Sequence, residues 1–135
     1  MVDDVILNKC ATLERCVQRV KEEYQKAGKH FDTDYTRQDA AILNIQRACE
    51  ASLDIGQYLI RRERLGVPQG YREVFTLLAE HQWIDSDLAE TLKKMVGFRN
   101  IAVHNYQELA LPVVKALIEK HLADFLRFKE RLLKT

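Results

Sequence analysis

Apolar residues return along the first 27 positions with a helical beat. Ile6, Cys10, Leu13, Val17, Val20, Tyr24 and Ala27 stand at gaps of 4, 3, 4, 3, 4 and 3, the signature of one buried face on an α-helix. That helix is predicted from about Asp3 to Ala27, with Asp3 and Asp4 suited to its N-terminus and Gly28 as its stop. A polar stretch from Lys29 to Tyr35 leads to a second helix. Thr36 with Asp39 three residues on resembles a capping box, and the helix is expected to run to about Arg64, before Gly66 and Pro68. Its apolar residues (Ala40, Ala41, Ile42, Ile45, Ala48, Cys49, Leu53, Ile55, Leu59) spread round more than one face, which places it centrally among several neighbours.

The segment Gly66-Val67-Pro68-Gln69-Gly70 reads as a loop. A shorter helix is predicted from Tyr71 to Glu80 with Val74, Leu77 and Leu78 inward, and Trp83 and Ile84 pack as the chain turns. Asp85, Ser86 and Asp87 offer caps for a fourth helix, whose apolar line runs Leu88, Leu92, Met95 and then meets Arg99. A last helix carries Pro112 in its first turn, followed by Val114, Leu117, His121, Phe125, Phe128 and Leu132 at helical gaps. His121 therefore reads as packed or at an interface. No segment alternates with period two for long. The expected fold is all-α: an up-and-down antiparallel bundle of four long helices plus one short helix, in one domain spanning residues 1–135.

Composition sharpens this picture. The 135 residues are 47% apolar and 30% charged, and include only 5 glycines and 2 prolines. That balance excludes intrinsic disorder and disfavours a turn-rich β fold. The 21 lysines and arginines against 20 acidic residues leave a net charge of +1, so any chemistry on nucleic acid must come from a local site. No apolar run reaches the roughly 18 residues of a membrane span, and Met1-Val2-Asp3-Asp4 lacks the basic start of a signal peptide. Cys10, Cys16 and Cys49 form no C-x-x-C pair and read as reduced, partly buried thiols of a cytoplasmic protein.

Arg99 breaks the apolar line of the fourth helix. An arginine near a helix end can simply extend its guanidinium to water, but Phe98-Arg99-Asn100-Ile101-Ala102-Val103-His104-Asn105-Tyr106 gathers Arg, Asn, His and Tyr in one short stretch. Histidine moves protons near neutral pH, and arginine holds phosphate through a permanently charged fork. Together they can cleave RNA: His104 takes the proton of a ribose 2′-OH or gives one to the leaving 5′-oxygen, Arg99 stabilises charge on the phosphoryl oxygens, and Asn100 orients the group. On an ideal helix Arg99 and His104 lie about 140° apart with a rise of about 7.5 Å. They converge only if the helix ends or bends near Val103, if the arginine reaches round, or if a second copy of the site takes part.

The order R-N-x-x-x-H-x-Y resembles the R-x4-6-H motif of HEPN-domain ribonucleases and, more narrowly, the R-x4-H-x-Y of HepT toxins. The segments Asn44–Gly56, Gly66–Pro68 with Tyr71–Phe75, and Met95–Asn100 also resemble that family, so the likeness spans most of the chain. It implies an all-α toxin that cuts RNA without a metal or other cofactor, as a homodimer with a composite active site between subunits. It further implies a partner antitoxin, the MntA-like nucleotidyltransferase, which transfers AMP onto the motif tyrosine. By residue-for-residue match the catalytic positions are Arg99 and His104 with Asn100 in support, and Tyr106 is the modification site. Each AMP would add a negative phosphodiester beside Arg99 and His104 and compete with RNA. An alternative implied by the same fold is a non-catalytic module that binds a nucleotide or a partner.

Other residues stand further from this chemistry. Arg61, Arg62 and Arg64 could touch RNA phosphates, although cations also suit a helix C-terminus. Arg47, Glu50 and Asp54 belong either to the site or to a polar network on the second helix. Phe98, Tyr106 and Tyr71 are the aromatics nearest to a stacking role. His30 and His81 stand alone, and no His/Cys spacing fits a metal site.

Overall fold

The computed structural model describes residues 3–133; Met1 and Val2 of the N-terminal acidic stretch lie outside it. Six α-helices are present among the described residues, and no strand: α1 (Asp4–Ala27), α2 (Tyr35–Glu63), α3 (Tyr71–Glu80), α4 (Ser86–His104), α5 (Leu111–Lys120) and α6 (Leu122–Leu133). Short 3-10 turns follow α1 at Gly28–His30 and α4 at Tyr106–Glu108.

The first helix follows its periodicity. Asp3 caps it by accepting the backbone N–H of Ile6 at 2.8 Å, and every residue of the stripe is buried except Tyr24, which is half-buried. Gly28, at φ 54°, ends it in the left-handed region that glycine enters without strain. In α2 the cap is Asp34, which accepts the N–H of Arg37 at 3.1 Å, rather than Thr36. An aspartate carboxylate is the stronger acceptor for exposed first-turn donors, and Thr36 already lies inside the helix. α3 occupies Tyr71–Glu80, and Asp85 caps α4 through the N–H of Leu88 at 2.7 Å.

The predicted last helix is two helices. The chain breaks at His121 (φ −124°, ψ −3°), whose N–H closes α5 on the carbonyl of Leu117. The buried line passes from Leu117 and Ile118 to Leu122, Phe125, Phe128 and Leu132, so it bypasses His121. That histidine is exposed, and its Nδ1 lies 3.0 Å from Asp124.

Long-range pairs fix the packing. Asp3 reaches Tyr58 and Arg62, Lys9 reaches Asp54, and Glu23 reaches Arg37, so α1 and α2 run antiparallel along most of their length. Arg99 meets Glu50 and Tyr106 meets Asp39, so α4 descends antiparallel to α2. The α2 helix touches α1, α3, α4 and α6, the central position its broad apolar surface requires. Its Gly56 lets α3 approach: a Cβ there would stand 2.7 Å from Val74 Cγ1. A core that includes Leu13, Ile45, Leu59, Phe75, Leu92, Phe125 and Phe128 holds the bundle together.

Candidate active site

The site is built where α1, α2 and the end of α4 meet. Arg99 lies about one and a half turns from the end of α4, half-buried, with its side chain laid toward α2. Its Nε and Nη2 donate to one oxygen of Glu50 at 3.2 and 2.7 Å, and its Nη1 donates to Asn100 Oδ1 at 3.0 Å. Three of the five guanidinium N–H groups are thereby spent on holding the plane, and two remain to grip an anion. Glu50, left open between a site role and a polar network, is thus the counter-ion that sets the orientation of Arg99. Asn100 supports the same guanidinium directly.

Arg99 opens onto a cleft of about 960 Å³. The α1 wall carries Asn8, Lys9, Thr12, Arg15 and Arg19; the α2 wall carries Asn44, Arg47, Glu50, Asp54 and Gln57. Five cations, Lys9, Arg15, Arg19, Arg47 and Arg99, therefore face two carboxylates. Asp54 is engaged by Lys9 at 2.6 Å and Glu50 by Arg99 at 2.7 Å. Arg19 is paired with Glu23 at 3.3 Å, so Arg15 and Arg47 carry the unspent positive charge that suits the cleft to polyanions. Cys16 also lines it, but burial pushes its thiol up from the ordinary range, which leaves a poor nucleophile.

Sequence reasoning did not single out the α1 wall. The signal was present: Asn8, Thr12, Arg15 and Arg19 repeat at gaps of 4, 3 and 4, a polar line beside the apolar one. The placement of Arg15 four residues before Arg19 is a like-charge pair that weakens an isolated helix.

His104 ends α4 and is exposed, and among the described residues no hydrogen bond fixes its imidazole. The backbone is helical through His104 itself, so neither a bend nor an early end at Val103 turns it toward Arg99. His104 is not among the residues that line the cleft. Within one copy the motif is therefore divided between two faces of the bundle.

Tyr106 stands on the turn after α4, and its hydroxyl donates to Asp39 Oδ1 of α2. Burial, together with that carboxylate, pushes the phenol up to about 12. Asp39, expected to help cap α2, instead anchors the motif tyrosine.

The remaining candidates lie elsewhere. Arg62 pairs with Asp3 and Glu63, each at 2.9 Å, and belongs to a clamp between α1 and α2. Arg61 and Arg64 are exposed, and Arg64 forms the left-handed C-cap of α2. None of the three lines the cleft. Phe98, expected near a stacked base, is buried at 7% exposure and serves the core. Tyr71 is half-buried. The Cys49 thiol is fully buried and donates to the Met95 carbonyl at 3.2 Å.

A family model described as HepT-like, ribonuclease HepT-like, matches residues 13–132. An mRNA nuclease HepT from Shewanella oneidensis is 49% identical over 127 residues, which cover 94% of this chain and 95% of its own. A solved structure of a tri-AMPylated HEPN toxin from Shewanella oneidensis, in complex with MNT antitoxin, superposes with a TM-score of 0.94. It is 46% identical and the match covers 99% of this chain and 100% of that one. A crystal structure of a toxin–antitoxin with AMP-PNP gives a TM-score of 0.91 at 46% identity, over 97% and 99% of the two chains.

Proposed function

The chain belongs to the HepT-like ribonucleases, and from that premise we propose that it is the toxin of a toxin–antitoxin pair. In this reading it is a cytoplasmic endoribonuclease that cuts RNA with its own histidine and arginine. One observation carries the reading. The guanidinium of Arg99 is held by Glu50 and Asn100 and lines a cation-rich cleft, on the helix that also ends in His104 and leads into Tyr106.

The chemistry follows from those side chains. His104 removes the proton of a ribose 2′-OH as that oxygen attacks the adjacent phosphorus, and the bond to the 5′-oxygen breaks. The leaving oxygen takes a proton, and the strand ends as a 2′,3′-cyclic phosphate and a 5′-hydroxyl. The two unspent N–H groups of Arg99 meet the phosphoryl oxygens as their charge grows. Arg15 and Arg47 hold the flanking phosphates. DNA, which lacks the attacking hydroxyl, is refused.

One copy places Arg99 and His104 on different faces, and this supports a homodimer whose two motifs meet in a shared cleft. Two copies also supply two histidines, one to take the first proton and one to give the second. The antitoxin is an MntA-like nucleotidyltransferase that joins AMP to Tyr106. The similarity to the AMPylated Shewanella toxin and the exposed position of Tyr106 support that assignment. Each AMP brings a phosphodiester anion to the end of α4, where it competes with RNA for Arg99 and obstructs the cleft.

The test is RNA cleavage by protein of unmodified intact mass, in EDTA, beside Arg99→Ala and His104→Ala. Cleavage by the wild type alone is expected. Intact RNA together with tight nucleotide binding that Arg99→Ala abolishes would make the chain a binding module instead.

A further inference from the structure

Tyr106 does not project freely from its turn. Its hydroxyl donates a hydrogen bond to Oδ1 of Asp39, near the start of α2. Burial and that carboxylate both push the phenol up. Both residues are exposed, Tyr106 at 44%, so a second protein can reach the pair. We propose that Asp39 is the proton acceptor for adenylylation of Tyr106, so that the chain supplies the base for its own modification. The inference rests on the reading of Tyr106 given above and deepens it.

The step balances with the groups at hand. The phenolic oxygen attacks the α-phosphorus of ATP, and the bond from that phosphorus to the β-phosphate bridging oxygen breaks. Pyrophosphate leaves with the electron pair, and the phenolic proton passes to Asp39 Oδ1 and then to water. The nucleotidyltransferase provides ATP and its metal. The phenol is held up at about 12, so near neutral pH it is almost wholly protonated and attacks poorly until its proton has an acceptor. Once AMP is joined, the phenolic oxygen has no proton to donate, and the carboxylate faces a phosphodiester anion. The contact that held Tyr106 becomes a repulsion, and the modified side chain is released from α2. Any further AMP joined to the first finds no phenolic proton to remove, so only the first transfer draws on Asp39.

The test compares Asp39→Asn, Asp39→Ala and Asp39→Glu as acceptors for the partner nucleotidyltransferase with magnesium and ATP. The initial rate of AMP addition is read by intact mass across the neutral and mildly alkaline range. Asparagine keeps an oxygen that accepts the Tyr106 hydrogen bond but cannot take the proton. Asp39→Asn is expected to slow the first transfer about 100-fold or more near neutral pH. That deficit should shrink as hydroxide takes over at higher pH, and Asp39→Glu should regain most of the rate. A thermal melt of each variant checks the fold, which an exposed position leaves intact. Asp39→Asn modified as fast as wild type, or a deficit equal at every pH, would overturn the proposal and leave Asp39 as a holder of the ring. Wild type that gains no AMP, or Tyr106→Phe that gains as much, would instead remove the reading of Tyr106 on which it rests.

Discussion

In the proposed reading, Arg99 is a side chain made ready for a phosphate. Its three bonds to Glu50 and Asn100 leave two N–H groups unspent on a side chain that lines a cleft already rich in cations. A lysine at this position keeps the charge and loses the fork. Arg99→Lys is therefore expected to lower kcat for RNA cleavage about 100-fold or more, the scale of losing a preorganised donor to developing charge. Single-turnover cleavage measures it. Arg15 contributes at a distance from the chemistry, so Arg15→Ala should raise KM several-fold, leave kcat nearly unchanged and flatten the salt dependence. Arg62→Ala should leave both constants alone, because its guanidinium is committed to Asp3 and Glu63. Asp3 in turn is a stability residue. The Ile6 N–H, then Arg62 and Tyr58, hold its carboxyl at about 2, below the ordinary 3.8. A carboxyl depressed on folding stabilises above its unfolded pKa, and that contribution is lost as pH falls from 3.8 toward about 2. Asp3→Asn should lower the melting temperature at neutral pH and flatten its decline across that acid window, as thermal unfolding would record.

At the scale of elements, periodicity and capping explain most of the bundle. The α1 stripe is buried as its spacing requires, α3 begins and ends where its apolar run does, and Asp85 caps α4. The break between α5 and α6 was not legible, because His121 falls at a helical gap from both Leu117 and Phe125. Only the burial of Leu122 shows that the inner face has moved by one residue. The cleft wall on α1 was missed for a related reason: apolar spacing reports the face toward the core, and the polar line of Asn8, Thr12, Arg15 and Arg19 lies beside it. The motif was legible as a sequence pattern, but not its contacts with Glu50 and Asp39, which reach Arg99 and Tyr106 from 49 and 67 residues away. Where α2 and α3 close on each other, Gly56→Ala gains up to about 1 kcal/mol of helix propensity. The added Cβ stands 2.7 Å from Val74 Cγ1 on a stiff β-branched side chain, and overpacking of that kind costs about 1–3 kcal/mol. A net loss of about 1 kcal/mol in urea unfolding is expected.

At the scale of the whole molecule, the proposed reading gives one copy half of a site. Arg99 faces the cleft, while His104 ends the same helix on another face, and a second copy is the economical way to bring an arginine and a histidine to one phosphate. If each cut needs both histidines, one to take the first proton and one to give the second, wild type exchanged with an equal amount of His104→Ala assorts at random, and about one quarter of the dimers keep both histidines. Activity should then fall to about one quarter of the undiluted value, against the half expected if each copy acts alone. The most direct test of the His/Arg ribonuclease chemistry is end-group analysis of an RNA oligonucleotide cut by the unmodified protein in EDTA. A matched oligonucleotide carrying 2′-deoxyribose at the cut position serves as its control. A 2′,3′-cyclic phosphate and a 5′-hydroxyl from the ribose substrate, with the deoxy substrate intact and His104→Ala inert, are the expected results. Cleavage of the deoxy substrate, or a 5′-phosphate on the product, would contradict attack by the 2′-hydroxyl and with it the roles assigned to His104 and Arg99.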